Sequence, residues 1–208
     1  MDDFKARYQE FLTHDYQPKK EKYAKLKDAQ HPHTLFITCS DSRVVPERLL
    51  NANPGEIFEM RNIGNIVPEM SRVDKGYGLA TMAAIEFAVK ELQVKYIIVC
   101  GHSNCGGCKN ALTPTEALDT MPSVKNWLAQ LMPLSIQVKM ERQNDSLGKQ
   151  EEALEKLNVK TQYYHLLNIP VVAESIGNGE LSVHGWYYEV GNGKLSAYDQ
   201  DEDAFLAL

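Results

Sequence analysis

Three residues in this chain have the types and the setting of a metal-binding set: Cys39, His102 and Cys105. Cys39 closes the apolar run Thr34-Leu35-Phe36-Ile37-Thr38, and His102 and Cys105 follow the run Tyr96-Ile97-Ile98-Val99-Cys100-Gly101. Each run has the length and β-branched content of a buried strand, and Gly106-Gly107 opens a segment able to become a helix. In open α/β sheets ligands bind at the carboxyl ends of strands. If the two strands are parallel neighbours, the three side chains converge although 63 residues separate Cys39 from His102. Two thiolates and an imidazole form a soft donor set suited to zinc, with the fourth position left open as catalytic zinc sites require. Asp41 and Arg43 stand beside Cys39. A carboxylate two residues from a guanidinium can be held ionised and oriented by bidentate pairing.

The elements that must position these residues follow from periodicity and turn signals. Phe4, Tyr8, Phe11 and Leu12 recur at helical spacing behind Asp2 and Asp3, which predicts an amphipathic helix over residues 3–13. A break at His14 to Pro18 and a second, charged helix over 19–28 are expected next. Pro46 marks a helix start, Asn53-Pro54-Gly55 a turn, and Glu56 to Asn62 alternates into a strand. Beyond Asp74-Lys75-Gly76, a helix over 77–92 is the crossover of a right-handed βαβ unit that returns to Tyr96. A helix starts between Ser123 and Leu131, and residues 147–167 read helical with Leu154, Leu157, Tyr164 and Leu167 near an inner face. Residues 181–198 form a hairpin around Gly191-Asn192-Gly193. The fold class is therefore α/β: a single domain over 1–208 with a mostly parallel central β-sheet flanked by helices, an N-terminal helical arm over 1–28 and a C-terminal β-hairpin.

Composition narrows the classes. A chain of 208 residues with 43% hydrophobic content is enough for one sizeable core. The net charge of −6 argues against a nucleic-acid surface, and no run approaches the length of a membrane span. The acidic N-terminus has no apolar signal core, so a cytoplasmic location is expected. Four cysteines are too few for a disulfide scaffold. Cys105 and Cys108 form a C-x-x-C that suggests a dithiol oxidoreductase, yet that reading leaves Cys39, Asp41, Arg43 and His102 unexplained. Cys100 and Cys108 read as packed core thiols, His31 and His33 as loop residues, and His165 as a packed or hydrogen-bonded histidine.

The segments Cys39-Ser40-Asp41-Ser42-Arg43 and His102-Ser103-Asn104-Cys105-Gly106-Gly107 resemble the two zinc-ligand signatures of the β-class carbonic anhydrases. Pro54-Gly55-Glu56 and Arg61-Asn62-Ile63-Gly64-Asn65 match the same pattern, and the resemblance runs from about Gln30 to Cys108 before loosening. It implies one zinc ion per chain on Cys39, His102 and Cys105, and interconversion of carbon dioxide and bicarbonate by zinc-bound hydroxide oriented by Asp41 and Arg43. It also implies a closed form in which Asp41 leaves Arg43 and takes the fourth zinc position. By the same resemblance Phe58, Ile63 and Phe87 line an apolar substrate pocket, while Gln30 and the Gly106 N–H bind substrate oxygen. Phe87 stands where plant members carry tyrosine; Gln30 favours the plant-like, open-site subtype. Phe36 replaces the tryptophan of bicarbonate-regulated members, which argues against that regulation. N-terminal helices that reach across a neighbouring subunit imply a homodimer or homotetramer. The competing readings are a structural zinc or interaction protein without catalysis, and a relative acting on carbon disulfide or carbonyl sulfide.

Overall fold

The computed structural model describes residues 2–73 and 76–208, so Asp74 and Lys75, read as the lead-in to the crossover helix, lie outside the described residues. Among the described residues six strands form one sheet in the order β2-β1-β3-β4-β5-β6. They are β1 (Thr34–Cys39), β2 (Ile57–Asn62), β3 (Tyr96–His102), β4 (Ser182–Glu189), β5 (Lys194–Asp199) and β6 (Ala204–Ala207). The first four run parallel and the last two are added antiparallel, as the mostly parallel sheet with a C-terminal hairpin requires. All six residues of β1 are buried, which is why that run is apolar without alternation. β1 lies between β2 and β3, with Cys39 opposite Asn62 and Thr38 opposite Cys100.

The helices are α1 (Asp2–Glu10), α2 (Lys20–Lys25), α3 (Pro46–Leu49), α4 (Met70–Val73), α5 (Leu79–Glu86), α6 (Gly106–Leu112), α7 (Pro122–Leu128), α8 (Met132–Glu141), α9 (Leu147–Leu167) and α10 (Pro170–Gly177). The expected break at 14–18 does not occur. A π turn at Phe11–Tyr16 and a 3-10 turn at Gln17–Lys19 carry the chain from α1 into α2. Pro18 sits in the first turn of that 3-10 segment, where its missing N–H costs little. The crossover helix starts at Leu79 rather than Tyr77, because Gly78 is left-handed (φ 68) and a Cβ there would lie 2.0 Å from Pro68 Cγ. It continues from α5 as a π turn over Phe87–Glu91.

Helices pack on the sheet face carrying Leu35, Ile37, Ile97 and Val99, where Ile85 from α5, Leu166 from α9 and Val172 from α10 close the core. A second cluster lies beneath the carboxyl ends of β1 and β3 and joins Cys39, Cys105 and Cys108 to Leu112, Leu131 and Leu154. On the other face Phe36, Ile98 and Cys100 pack with Trp186, whose ring meets Phe36 edge-on at 6.1 Å. Cys100 and Cys108 are fully buried core residues, as expected. The arm is different: α1 buries no residue, and Phe4 and Tyr8 remain 72% and 57% exposed. No described helix is long and apolar enough to cross a membrane.

Candidate metal centre and active site

β1 delivers Cys39 and β3 delivers His102 to the same end of the sheet. A turn through Asn104, left-handed at φ 56, then places Cys105 at the N-cap of α6. The three donors are buried and their ligand atoms lie within 4.8 Å of one another. Cys39 Sγ and Cys105 Sγ are 3.9 Å apart. Two thiolates on a tetrahedral zinc with bonds of about 2.3 Å stand about 3.8 Å apart, so the pair has the spacing of such a site. His102 Nδ1 lies 3.0 Å from the Ser103 carbonyl, and since a carbonyl only accepts, Nδ1 carries the hydrogen and Nε2 a lone pair. Among the described residues that Nε2 is buried without a hydrogen-bond partner. An orphaned buried acceptor is costly, and an ion shared with the two sulfurs satisfies it.

The thiols show the same need. Cys39 is pushed up to about 12, first by its hydrogen bond with Cys105 and then by burial. Cys105 is pushed up to about 12, first by its hydrogen bond with Cys108. Without a cation this pocket keeps both as thiols, whereas a dication supplies the charge that holds them as thiolates. A redox C-x-x-C needs a depressed, accessible thiol, so burial and these upward shifts count against the dithiol reading.

Asp41 is locked in place. Arg43 donates to its Oδ1 from Nε and from the backbone, each at 2.9 Å, and to Oδ2 from Nη2 at 2.7 Å. These bonds hold the Asp41 carboxyl well below the usual carboxylate range. Arg43 Nη2 also donates to Asn104 O at 3.0 Å, tying the β1 loop to the β3 turn. Asp41 Oδ2 stands 3.8 Å from His102 Nε2, at the mouth of the donor set. Arg61 completes the loop. Its guanidinium donates to the carbonyls of Cys39, Asp41 and Val44, and the structural ion pair available to it, Glu59, is 3.9 Å away.

The profile of the carbonic anhydrase family matches residues 34–195. The chain is 35% identical over 199 residues to a carbonic anhydrase of Helicobacter pylori, covering 94% of this chain and 89% of the relative. It is 37% identical over 201 residues to one of Pseudomonas aeruginosa, covering 95% and 87%. The solved structure of the β-carbonic anhydrase CcaA superposes with a TM-score of 0.91 at 32% identity, covering 100% of this chain and 99% of that one. The chain belongs to the β-class carbonic anhydrases. A structure described as one of two tetrameric β-carbonic anhydrases from Sordaria macrospora, at 30% identity, gives a TM-score of 0.76 and covers 92% and 93%.

Of the substrate contacts expected from this family, the fold brings two to the metal-binding end. Ile63 follows β2 directly and lies against Gly107, and Gly106 heads α6 with open space at its α-carbon. The other three are elsewhere in the chain. Gln30 is exposed and precedes the amino end of β1, whereas Cys39 closes the carboxyl end, about 17 Å further along a six-residue strand. Phe58 pairs with Leu35 near that amino end and packs on Phe87 with ring centroids 5.9 Å apart. A pocket combining all five around one Cys39 cannot be built from a single copy, because a family resemblance assigns residues to a pocket without telling which end of the sheet each one serves.

Glu155 is a residue that the sequence reading missed. It is 3% exposed on α9 and its carboxylate accepts the Cys105 N–H at 2.8 Å and the Tyr187 hydroxyl at 2.7 Å. Burial pushes it up to about 7. The available signal was the polar series Glu155, Asn158, Gln162 at helical spacing on the same inner face as Leu154, all of them buried. His165, by contrast, is as expected a hydrogen-bonded histidine, with Nδ1 2.7 Å from Val67 O.

Proposed function

We propose that this carbonic anhydrase is a zinc enzyme that interconverts carbon dioxide and bicarbonate, with Cys39, His102 and Cys105 as the ligands of one ion per chain. The observation that carries the reading is the orphaned His102 Nε2 facing two sulfurs, with an ionised carboxylate fixed 3.8 Å away. Zinc held there by Cys39, His102 and Cys105 would supply a Lewis acid.

The chain's own groups do the rest. Asp41, kept anionic by Arg43, accepts a hydrogen bond from the attacking oxygen and so turns its lone pair toward the substrate carbon. Arg61 holds the carbonyls on either side of Asp41, so the carboxylate does not wander with its loop. Ile63 offers apolar wall to a substrate without charge, and the Gly106 N–H bonds an oxygen of the product. The Asp41–Arg43 pairing supports the plant-like, open-site subtype, since Asp41 is engaged away from the fourth position. Gln30, Phe58 and Phe87 reach this pocket from a second copy of the chain, giving a homodimer or a tetramer built from it. The exposure of Phe87 (46%) and of the α1 apolar face supports that assembly.

Stopped-flow carbon dioxide hydration on protein of known zinc content, between about pH 6 and 9, tests the reading. Fast hydration near one zinc per chain, lost in Asp41→Asn and Cys39→Ser, is expected. Full zinc occupancy without hydration would transfer the assignment to a structural zinc protein, or to carbon disulfide or carbonyl sulfide if those are turned over.

A further inference from the structure

The loop after β2 holds one peptide plane with a partner on each side. The Ile63–Gly64 peptide presents its carbonyl to Trp127, whose indole Nε1–H donates at 2.8 Å, and its N–H to Cys39 Sγ at 3.4 Å. Because a peptide unit is planar and trans, fixing the carbonyl fixes the direction of the N–H. The following peptide is pinned as well, with Asn158 Nδ2 donating to Gly64 O at 2.9 Å. The lock is needed because Gly64 lies at φ 78, and a glycine can rotate the preceding peptide over with no Cβ to resist it.

We infer that Trp127 is a positioning residue of the metal centre: its indole N–H holds the Ile63–Gly64 peptide so that the Gly64 N–H faces the Cys39 sulfur and the Ile63 side chain faces the substrate. The inference deepens the zinc reading and rests on it for the sulfur's role as ligand. An N–H donated to a thiolate withdraws charge from it, and polarisation of the same peptide by Trp127 strengthens that bond. Trp127 thus acts on the centre from α7, a helix that supplies no ligand.

Trp127→Phe keeps the aromatic ring and removes the donor. In the metal-free, reduced protein, hydrogen exchange of the Gly64 amide measured by NMR should accelerate about 10-fold, the loss expected for one net hydrogen bond. In the cobalt-substituted protein the thiolate-to-cobalt charge-transfer band should move, and kcat/KM for hydration should fall several-fold at unchanged metal stoichiometry. Lys125→Ala, on the same helix but paired with Asp119 at the surface, should change none of the three. Unaltered Gly64 exchange and an unmoved band in Trp127→Phe would overturn the inference, even if its Tm fell. If that variant does not fold, the wild-type indole N–H decides: protection from exchange supports the lock and exchange at the rate of free indole refutes it. The exchange readings do not depend on turnover, so a wild-type protein without hydration activity would refute the proposed function and leave this lock to be judged by itself.

Discussion

Glu59→Gln should stabilise the protein at pH 8 and leave it unchanged near pH 4. Glu59 lies on β2 with Oε1 buried and, among the described residues, without a hydrogen-bond partner, the Glu47 carboxylate beside it and Arg61 Nη1 3.9 Å from Oε2. Burial first, then the hydrogen bond and repulsion from Glu47, push Glu59 from 4.5 up to about 7. Between those values the folded chain holds a proton that the unfolded chain releases. Stability therefore falls as pH rises from 4.5 to about 7 and is level beyond it. At about 1.4 kcal/mol per pH unit the full effect is about 3 kcal/mol; since 23% of the Glu59 side chain is exposed, about 2 is expected. Glutamine has the same shape, does not titrate, and can donate to Glu47. Urea unfolding of both proteins at matched concentration and metal content, at pH 4, 6 and 8, isolates the difference due to the Glu59–Glu47 pair, because titrations elsewhere cancel between variants at each pH. With a slope of about 2 to 3 kcal/mol/M, the midpoint of Glu59→Gln should lie almost 1 M higher at pH 8. Equal midpoints at pH 8, or the same offset at all three values, would refute the assignment of a proton to this carboxyl.

Glu155→Ala leaves the Cys105 N–H and the Tyr187 hydroxyl buried without acceptors, at about 2 to 4 kcal/mol. On the proposed zinc reading it should release the metal to a chelator faster, while Glu155→Gln, which keeps an acceptor for Cys105, should retain it. Gly101→Ala brings a Cβ within 2.5 Å of Val159 Cγ2 and should lower stability by about 1 to 3 kcal/mol, with Val159→Ala in the same chain recovering most of the loss in a thermal melt. Lys22 and Asn53 hold Glu56 down at about 2. The tie between α2 and the body is thus complete above 4.5 and lost as pH falls toward 2, and hydrogen exchange confined to residues 2–25 should rise in that window, and at neutral pH in Glu56→Gln.

What the sequence disclosed followed how local each signal was. β1 and β3 were legible because an uninterrupted apolar run of strand length admits few alternatives, and Cys39, His102 and Cys105 were legible because each follows such a run. Pro133 and Pro170 conceal helices: each stands in the first turn of α8 or α10, where proline is tolerated, and neither helix was anticipated. β6 was missed because four residues, Ala-Phe-Leu-Ala, carry no periodicity to speak of. Trp127 and Glu155 act on the centre from 64 and 50 residues away, through a backbone carbonyl and a backbone N–H; nothing near Trp127 marks it, and the polar series Glu155, Asn158, Gln162 marks a buried polar face without naming its partner. Gln30, Phe58 and Phe87 come from the family resemblance alone, and strand direction puts them at the far end of the sheet from their own Cys39.

The central position of β1 also dictates when the donor set exists during folding. His102 and Cys105 are neighbours in the unfolded chain, but Cys39 joins them only when β1 pairs with β3 across some sixty residues. That closure is a costly, non-local step that local structure does not reward in advance. An ion added to the unfolded chain meets only two of the three donors of the folded set, beside Cys100 and Cys108, which folding withdraws into the core, and the third arrives only with the sheet. Its binding energy therefore enters after the main barrier: metal should leave the refolding rate almost unchanged and instead slow unfolding, making the centre a latch on a finished sheet rather than a seed for one.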